Sequence, residues 1–302
     1  MNILITGAYN FTLDQENQLN ELGHKVIFLK DERLPLITDV SNVDIVICNA
    51  LFLYNDITLF NNLKLIQLTS AGYDRIPLEY IKKNNIRIYN AGSTYSVPMA
   101  EWGILKILEI YKYSSFFLEN RNRKIWSKKR NLKELCNSNA LILGFGNVGK
   151  EIAKRLNIFG VNILALDKNR DNSILEVTVA SIDTLKEVLP MYDIIILTLP
   201  LVESTKHLFN REILNLVKDD AVLVNISRGG IIDEEALVSQ LDKGKFRGVA
   251  LDVFEVEPLP SESKLWNFEN VLISPHNSFV SDLNDGRLFE LFLRNINTLV
   301  NN

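Results

Sequence analysis

Histidine is scarce in this chain, and cysteine is scarcer. Three histidines (His24, His207 and His276) and two cysteines (Cys48 and Cys136) are all that 302 residues contain. Any chemistry that needs an imidazole therefore has three candidates. The two cysteines stand far apart and form no C-x-x-C pair, which excludes a disulfide framework and a thiolate zinc site, so no metal is expected. Cys48 sits in an apolar strand-like run and reads as a small buried hydrophobe. An excess of positive charge is lacking too. Lys and Arg number 33 against 37 Asp and Glu, a formal net charge of −4, so neither nucleic acid nor an acidic membrane is expected as a partner. No stretch is long and uncharged enough to span a bilayer. The opening Met1–Gly7 carries neither a basic leader nor an apolar run of secretory length, and a reducing cytoplasmic setting is expected.

What the chain does have is apolar residues, 47% of the total, in short recurring runs. Its length exceeds the usual single-domain size, so two domains are expected. In the N-terminal third the runs are Asn2–Thr6, Lys25–Leu29, Asp44–Cys48, Leu65–Thr69 and Ile86–Tyr89, with helical spacing between several of them at Leu13–Leu22 and Pro77–Asn84. Strand–helix alternation of this kind argues for α/β architecture with a parallel sheet covered on both faces. From Val97 to Glu119 the pattern is helical, with Pro98 in the first turn. A second series then runs through Ala140–Leu143, Asn162–Leu166, Ile174–Val177, Asp193–Leu199, Ala221–Ile226, Gly248–Leu251 and Val271–Ile273. The tail Asp285–Leu299 is an amphipathic helix with Leu288, Leu291, Phe292 and Ile296 on one side. Two doubly wound units on one chain are the expectation.

The apolar strand Ala140–Leu143 runs directly into Gly144-Phe145-Gly146-Asn147-Val148-Gly149, and Lys150–Phe159 continues as a helix. A dinucleotide needs that order. The first glycine makes a tight turn, the second lets the backbone approach a pyrophosphate, and the third packs helix on strand. The pyrophosphate then meets free N–H groups at the positive end of a helix dipole. A glycine triplet alone is a weak signal, but here the next strand, Ile163–Leu166, ends at Asp167, roughly where an acid for the ribose hydroxyls belongs. That acid favours NAD over NADP, while Lys168 and Arg170 soften the preference. Thr6-Gly7-Ala8 lacks the later glycines and reads as a plain strand-to-helix turn.

Reducing a carbonyl with a nicotinamide requires a proton donor and a cation for the substrate's charge. His24 lies in a helix-to-strand turn at the far end of the first unit, and His207 opens a helix as a cap or packing residue. His276 follows the strand Val271–Ile273 on a Pro275 turn, at the carboxyl end where doubly wound sheets bind ligands. Position alone leaves a structural role for it equally open. Two other strand ends carry unusual polar groups: Ser227-Arg228-Gly229-Gly230, and Asp252 with Glu257 before Pro258. An arginine beside two glycines suits a bidentate grip on a carboxylate. A glutamate bonded to a histidine fixes its orientation and favours its charged form.

The blocks Gly144–Gly149, Thr198-Leu199-Pro200-Leu201, Leu223–Asp233, Ala250–Glu255 with Glu257-Pro258-Leu259, and Ser274-Pro275-His276 together resemble the D-isomer-specific 2-hydroxyacid dehydrogenases. The resemblance implies a Rossmann NAD-binding domain, residues 98–278, and a discontinuous flavodoxin-like substrate domain, residues 1–97 plus 279–302, with the site in the cleft between them. It implies hydride transfer between NAD(H) and C2 of a D-2-hydroxyacid or 2-oxoacid. His276 becomes the proton donor, Glu257 its partner, and Arg228 the group orienting the substrate. Gly144, Gly146, Asn147, Val148, Gly149, Asp167, Thr198, Leu199, Pro200, Ile226, Ser227 and Asp252 line the NAD site by the same resemblance. Ser70, Ala71 and Gly72 resemble the loop whose amides hold the substrate carboxylate.

The chain departs from the family pattern in two places. Asn277-Ser278-Phe279-Val280 is bulkier than the small residues usual after the histidine. Asn49-Ala50-Leu51-Phe52-Leu53 lacks the arginine of the phosphoglycerate-oxidising branch, so Leu51 and Phe52 are expected to suit an uncharged substituent. Phosphoglycerate or glyoxylate/hydroxypyruvate activity within the family, or a non-catalytic NAD(H)-sensing corepressor, are the alternatives. The basic run Arg121–Lys133 around Trp126 reads as a solvated arm and, by the resemblance, as part of a homodimer interface.

Overall fold

The computed structural model describes residues 1–73, 75–169 and 177–300. The chain divides into two compact units, Met1–Tyr95 with Ser281–Asn302, and Ser96–Val280.

The first unit is built on five parallel strands: β1 (Asn2–Thr6), β2 (Lys25–Leu29), β3 (Ile45–Cys48), β4 (Leu65–Leu68) and β5 (Arg87–Tyr89), in the order β2-β1-β3-β4-β5. That is the flavodoxin-like order. All residues of β3 and β4 are buried, as strands covered on both faces require, whereas the edge strands β2 and β5 are partly exposed. Helices α1 (Leu13–Glu21), α2 (Leu51–Tyr54) and α3 (Leu78–Lys83) connect them. Helix α1 starts at Thr12 with a reciprocal capping box to Gln15. The C-terminal helix, Asn284–Val300, buries Leu288, Phe289, Phe292 and Ile296 against Ile3, Ile5, Ile45 and Leu65. Phe289 takes the deeper place that the helical pattern gave to Leu291, which is half-buried. Each such buried side chain contributes about 1.5–3 kcal/mol, enough to hold this helix on the unit from which it is separated in sequence.

The second unit carries seven parallel strands: β6 (Asn139–Leu143), β7 (Asn162–Leu166), β8 (Thr178–Ala180), β9 (Ile194–Leu197), β10 (Ala221–Asn225), β11 (Phe246–Leu251) and β12 (Val271–Ile273). Their order, β12-β11-β10-β9-β6-β7-β8, is that of a doubly wound Rossmann sheet extended by one strand. Side chains that alternate along a strand go to opposite faces. Leu141, Ile195 and Leu223 enter one core and their neighbours Ile142, Ile196 and Val224 the other. Helices α4 (Ser96–Lys112), α5 (Ser114–Asn122), α6 (Asn147–Ile158), α7 (Leu185–Val188), α8 (Arg211–Leu216) and α9 (Glu234–Leu241) complete the unit.

Two expectations change here. The single helix over Val97–Glu119 is two helices, broken at Tyr113, whose backbone is left-handed at φ 51°. The Tyr113 ring is held from outside the helix by Lys129 at 4.6 Å and the Arg247 guanidinium at 5.5 Å. The strand expected at Ile174–Val177 lies outside the described residues except for Val177, and the edge strand that pairs with β7 on the side away from β6 is Thr178–Ala180. Among the described residues no helix is long and apolar enough to cross a membrane, and no cluster of His, Cys, Asp and Glu could hold a metal ion.

Candidate active site

The glycine turn after β6 has the geometry its residue types demand. Gly144 sits at φ +96°, and a Cβ on it would lie 2.9 Å from the Thr198 carbonyl carbon and oxygen. A Cβ on Gly149 would lie 2.2 Å from the Gly144 oxygen, so α6 approaches β6 as closely as it does only because position 149 has no side chain. Gly146 differs from both. The space where its Cβ would stand is open to 4 Å, and as the N-cap of α6 it offers no side-chain hydrogen bond. The first N–H groups of α6 and an unfilled space above Gly146 thus fit a pyrophosphate, and with it the dinucleotide.

Neighbouring strands brace the turn. The Thr198 hydroxyl donates to the Gly144 oxygen at 2.6 Å. Asp167, half-buried at the end of β7, accepts from the Phe145 N–H at 2.6 Å and from the Asn169 N–H at 2.9 Å. Asn147 and Pro200 are exposed, whereas Val148 and Leu199 are half-buried against the two cores. Lys168 donates to the Ser204 hydroxyl at 3.3 Å, and Arg170 lies outside the described residues.

Strands β10, β11 and β12 are consecutive neighbours, so their carboxyl ends lie side by side. Arg228 follows β10, Glu257 follows β11 and His276 follows β12. The His276 Nδ1 stands 2.9 Å from Glu257 Oε2, with the two side chains 39% and 37% exposed. Facing a carboxylate, Nδ1 is the donor, which leaves Nε2 for a reacting group. The other Glu257 oxygen accepts from the Phe254 N–H at 3.0 Å.

His276 itself sits in the left-handed region at φ +49°, with its N–H donating to the Asp252 carbonyl at 2.7 Å. Asp252 is fully buried at 0% exposure. Its Oδ1 accepts from the Ser274 hydroxyl and from the Asn277 N–H (2.8 Å), and its Oδ2 from the Ser278 N–H (2.9 Å). The carboxylate therefore shapes the histidine loop from within.

Arg228 is presented by a similar clamp. The buried Asn225 side chain accepts from the Ser227 N–H and hydroxyl, at 3.1 and 2.6 Å, and donates to the Arg228 carbonyl at 3.1 Å. Ser227 and Ile226 are both buried, so their side chains pack inward. The half-buried Arg228 guanidinium donates to the Ser227 carbonyl at 2.8 Å and meets no carboxylate among the described residues. A guanidinium with most of its donors unspent suits an incoming anion.

The other candidates fall elsewhere. His24 is buried beside the N-terminal ammonium, at the amino end of β2, and burial is the main cause that lowers its pKa. His207 does not open a helix. It lies in a left-handed turn (φ +48°) ahead of the Asn210 cap of α8, with Nε2 3.0 Å from Glu255 Oε1. Leu51 is 0% exposed inside the first unit's core, and Phe52 packs edge-on against Phe60, 5.6 Å between centroids. The expectation that Leu51 faces a substituent fails because a helical turn, α2, rolls it into the core, while Phe52 is half-buried and Leu53 and Tyr54 are exposed. In the first unit, Ser70 donates to the Gly72 carbonyl at 3.3 Å and Asn90 to the Ala71 carbonyl at 2.8 Å. The Ala71 and Gly72 amides find no acceptor among the described residues.

Sequence reasoning missed Asn225, Ser274 and the Asn277 and Ser278 amides. Asn225, an Asx residue two before a serine, carried a local signal for its turn.

Comparison with known proteins gives a consistent picture. The family described as D-isomer specific 2-hydroxyacid dehydrogenase, NAD binding domain, matches residues 105–278. A hydroxypyruvate reductase of Thermotoga maritima is 36% identical over 252 residues, covering 82% of this chain and 80% of that protein. A glyoxylate reductase of Pyrococcus furiosus is 30% identical over 294 residues, covering 93% and 87%. Among solved structures, a probable 2-hydroxyacid dehydrogenase from Rhizobium etli, in complex with NADP, HEPES and L(+)-tartaric acid, superposes with a TM-score of 0.77 at 25% identity, covering 99% of this chain and 95% of that one.

Proposed function

This chain belongs to the D-isomer-specific 2-hydroxyacid dehydrogenase family, and we propose that His276, Glu257 and Arg228 carry its reaction. It is an NAD-dependent oxidoreductase acting on a small 2-oxoacid or 2-hydroxyacid. The residue assignment rests above all on the 2.9 Å pairing of His276 Nδ1 with Glu257 beside the Arg228 turn.

When bound on the turn Gly144–Gly149, NADH supplies a hydride to C2 of the oxoacid. The protein does the rest. Arg228 holds the substrate carboxylate bidentately. Glu257 stabilises the imidazolium and keeps Nδ1 protonated, so that Nε2 gives its proton to the carbonyl oxygen. In the oxidative direction Nε2 takes that proton back. Asp167, already bonded to the glycine turn, is proposed to accept from the ribose hydroxyls and disfavour a 2′-phosphate.

The finer readings rest on less. A homodimer is proposed through the arm around Trp126, which is 98% exposed beside Ile125 and Leu132. A reducing cytoplasm is proposed from the two separated cysteines. The test of function is NADH and NADPH oxidation against 2-oxoacids from glyoxylate and hydroxypyruvate to branched and aromatic members. Turnover with at least one, faster with NADH, is expected. Tight NADH binding without turnover of any would favour an NAD(H) sensor.

A further inference from the structure

Two histidine–glutamate pairs take their glutamates from one loop, two residues apart. Glu257 meets His276, and Glu255 meets His207, Nε2 to Oε1 at 3.0 Å. The first pair is the dyad assigned above, whereas the second has no part in that chemistry.

Its connections run between the other catalytic elements. The same Glu255 Oε1 accepts from the Glu234 N–H at 3.3 Å, and Glu234 Oε1 accepts from the Glu255 N–H at 2.7 Å. This reciprocal bridge ties the Phe254–Glu257 loop to the first turn of α9, which leads out of the Arg228 turn through the Asp233 cap. The His207 N–H donates to the Gly230 carbonyl at 2.8 Å, so its ring reaches Glu255 from that same turn. Gly229 closes the arrangement. A Cβ there would lie 1.9 Å from the Phe254 carbonyl carbon and 2.4 Å from the Glu255 nitrogen, so the backbone of the arginine turn rests directly on the loop.

We propose that Glu255, anchored by His207 and Glu234, is a positioning residue that fixes Glu257, and through it His276, relative to Arg228. The proposal rests on the functional reading above. Stability alone is a poor reason for the arrangement. The His207 and Glu255 side chains are 41% and 34% exposed, and ion pairs that open to water add little to stability. The bridge also brings Glu234, Glu255 and Glu257 together, and Glu234 is pushed up by burial first and then by the other two carboxylates. The loop keeps this unfavourable gathering, and what it gains is geometry. A misplacement of about 1 Å at a reacting group costs on the order of 10²-fold in rate.

The experiment is a double-mutant cycle on the full chain, reading kcat, KM and NADH affinity with glyoxylate or hydroxypyruvate as oxoacid. Glu255→Ala is expected to lower kcat about tenfold or more while the NADH Kd stays within about twofold. Glu255→Gln retains an oxygen that can accept from both Glu234 and His207, and is expected to recover most of that loss. Because Glu255 acts through Glu257, Glu255→Ala added to Glu257→Gln is expected to cost no more than Glu257→Gln alone. Three results would overturn the proposal: kcat of Glu255→Ala within about twofold of wild type, additive losses in the cycle, or a loss that appears equally in NADH affinity and thermal stability. A wild-type protein that oxidises NADH with no 2-oxoacid would refute the functional reading instead.

Discussion

Replacing Asp252 by asparagine changes one atom in a fully buried side chain and should unlock the histidine loop. The carboxylate accepts three hydrogen bonds, from the Ser274 hydroxyl, the Asn277 N–H and the Ser278 N–H, and donates none. Whichever way the amide of Asp252→Asn turns, its NH2 faces a donor. An unmet buried donor costs about 1–3 kcal/mol, and the surviving bonds lose charge assistance worth about another 1 kcal/mol, so about 3 kcal/mol in total. A unit the size of Ser96–Val280 shifts by about 2–4 °C per kcal/mol, which puts the expected fall in Tm near 6–12 °C. Differential scanning fluorimetry measures it directly. A parallel NADH titration should give a Kd within about threefold of wild type, because both carboxylate oxygens are spent inside the loop. Turnover should fall, since His276 rides on that loop. A Tm change under about 2 °C would refute the reasoning. So would a weakened NADH Kd with Tm unchanged, which would return Asp252 to the role of a cofactor contact.

Other perturbations test other parts of the account. Gly149→Ala places a Cβ 2.2 Å from the Gly144 oxygen and should weaken NADH binding by at least about tenfold in a fluorescence titration. Arg228→Lys keeps the charge but loses the fork, so KM for the oxoacid should rise about 10- to 100-fold with NADH affinity unchanged. Glu234 carries a raised pKa, so the folded state binds its proton more readily than the unfolded chain. Its unfavourable contribution is absent at pH values below the unfolded-state pKa and grows as pH rises through the raised one. Glu234→Gln should therefore match wild-type Tm near pH 4 and exceed it near neutrality, read from melts across that range. The opposite trend would show that its hydrogen bonds outweigh its charge.

Much of the site was legible because parallel topology does simple work. Every strand of the second unit presents its carboxyl end on one edge, so Arg228, Glu257 and His276 gather although the chain separates them. The glycine turn was legible from its flanking strand, helix and acid. What escaped was decided at long range. The helix break at Tyr113 answers to Arg247 and Lys129. The inward roll of Leu51 answers to a core assembled from several strands. Asp252 read as an acid lining the NAD site, and only the loop some twenty residues on, folding back over it, reveals its donors. His207 read as a cap, whereas the carboxylate it meets lies on a different strand-end loop.

The central claim is that His276 hands over the proton while other groups bind the cofactor, and His276→Ala tests it most directly. Two quantities are needed from the same preparation: kcat for oxoacid reduction and the NADH Kd. The account predicts a fall in kcat of about 10²- to 10⁴-fold, the usual worth of a general acid, with NADH affinity nearly unchanged. Sustained turnover with failed cofactor binding would contradict it.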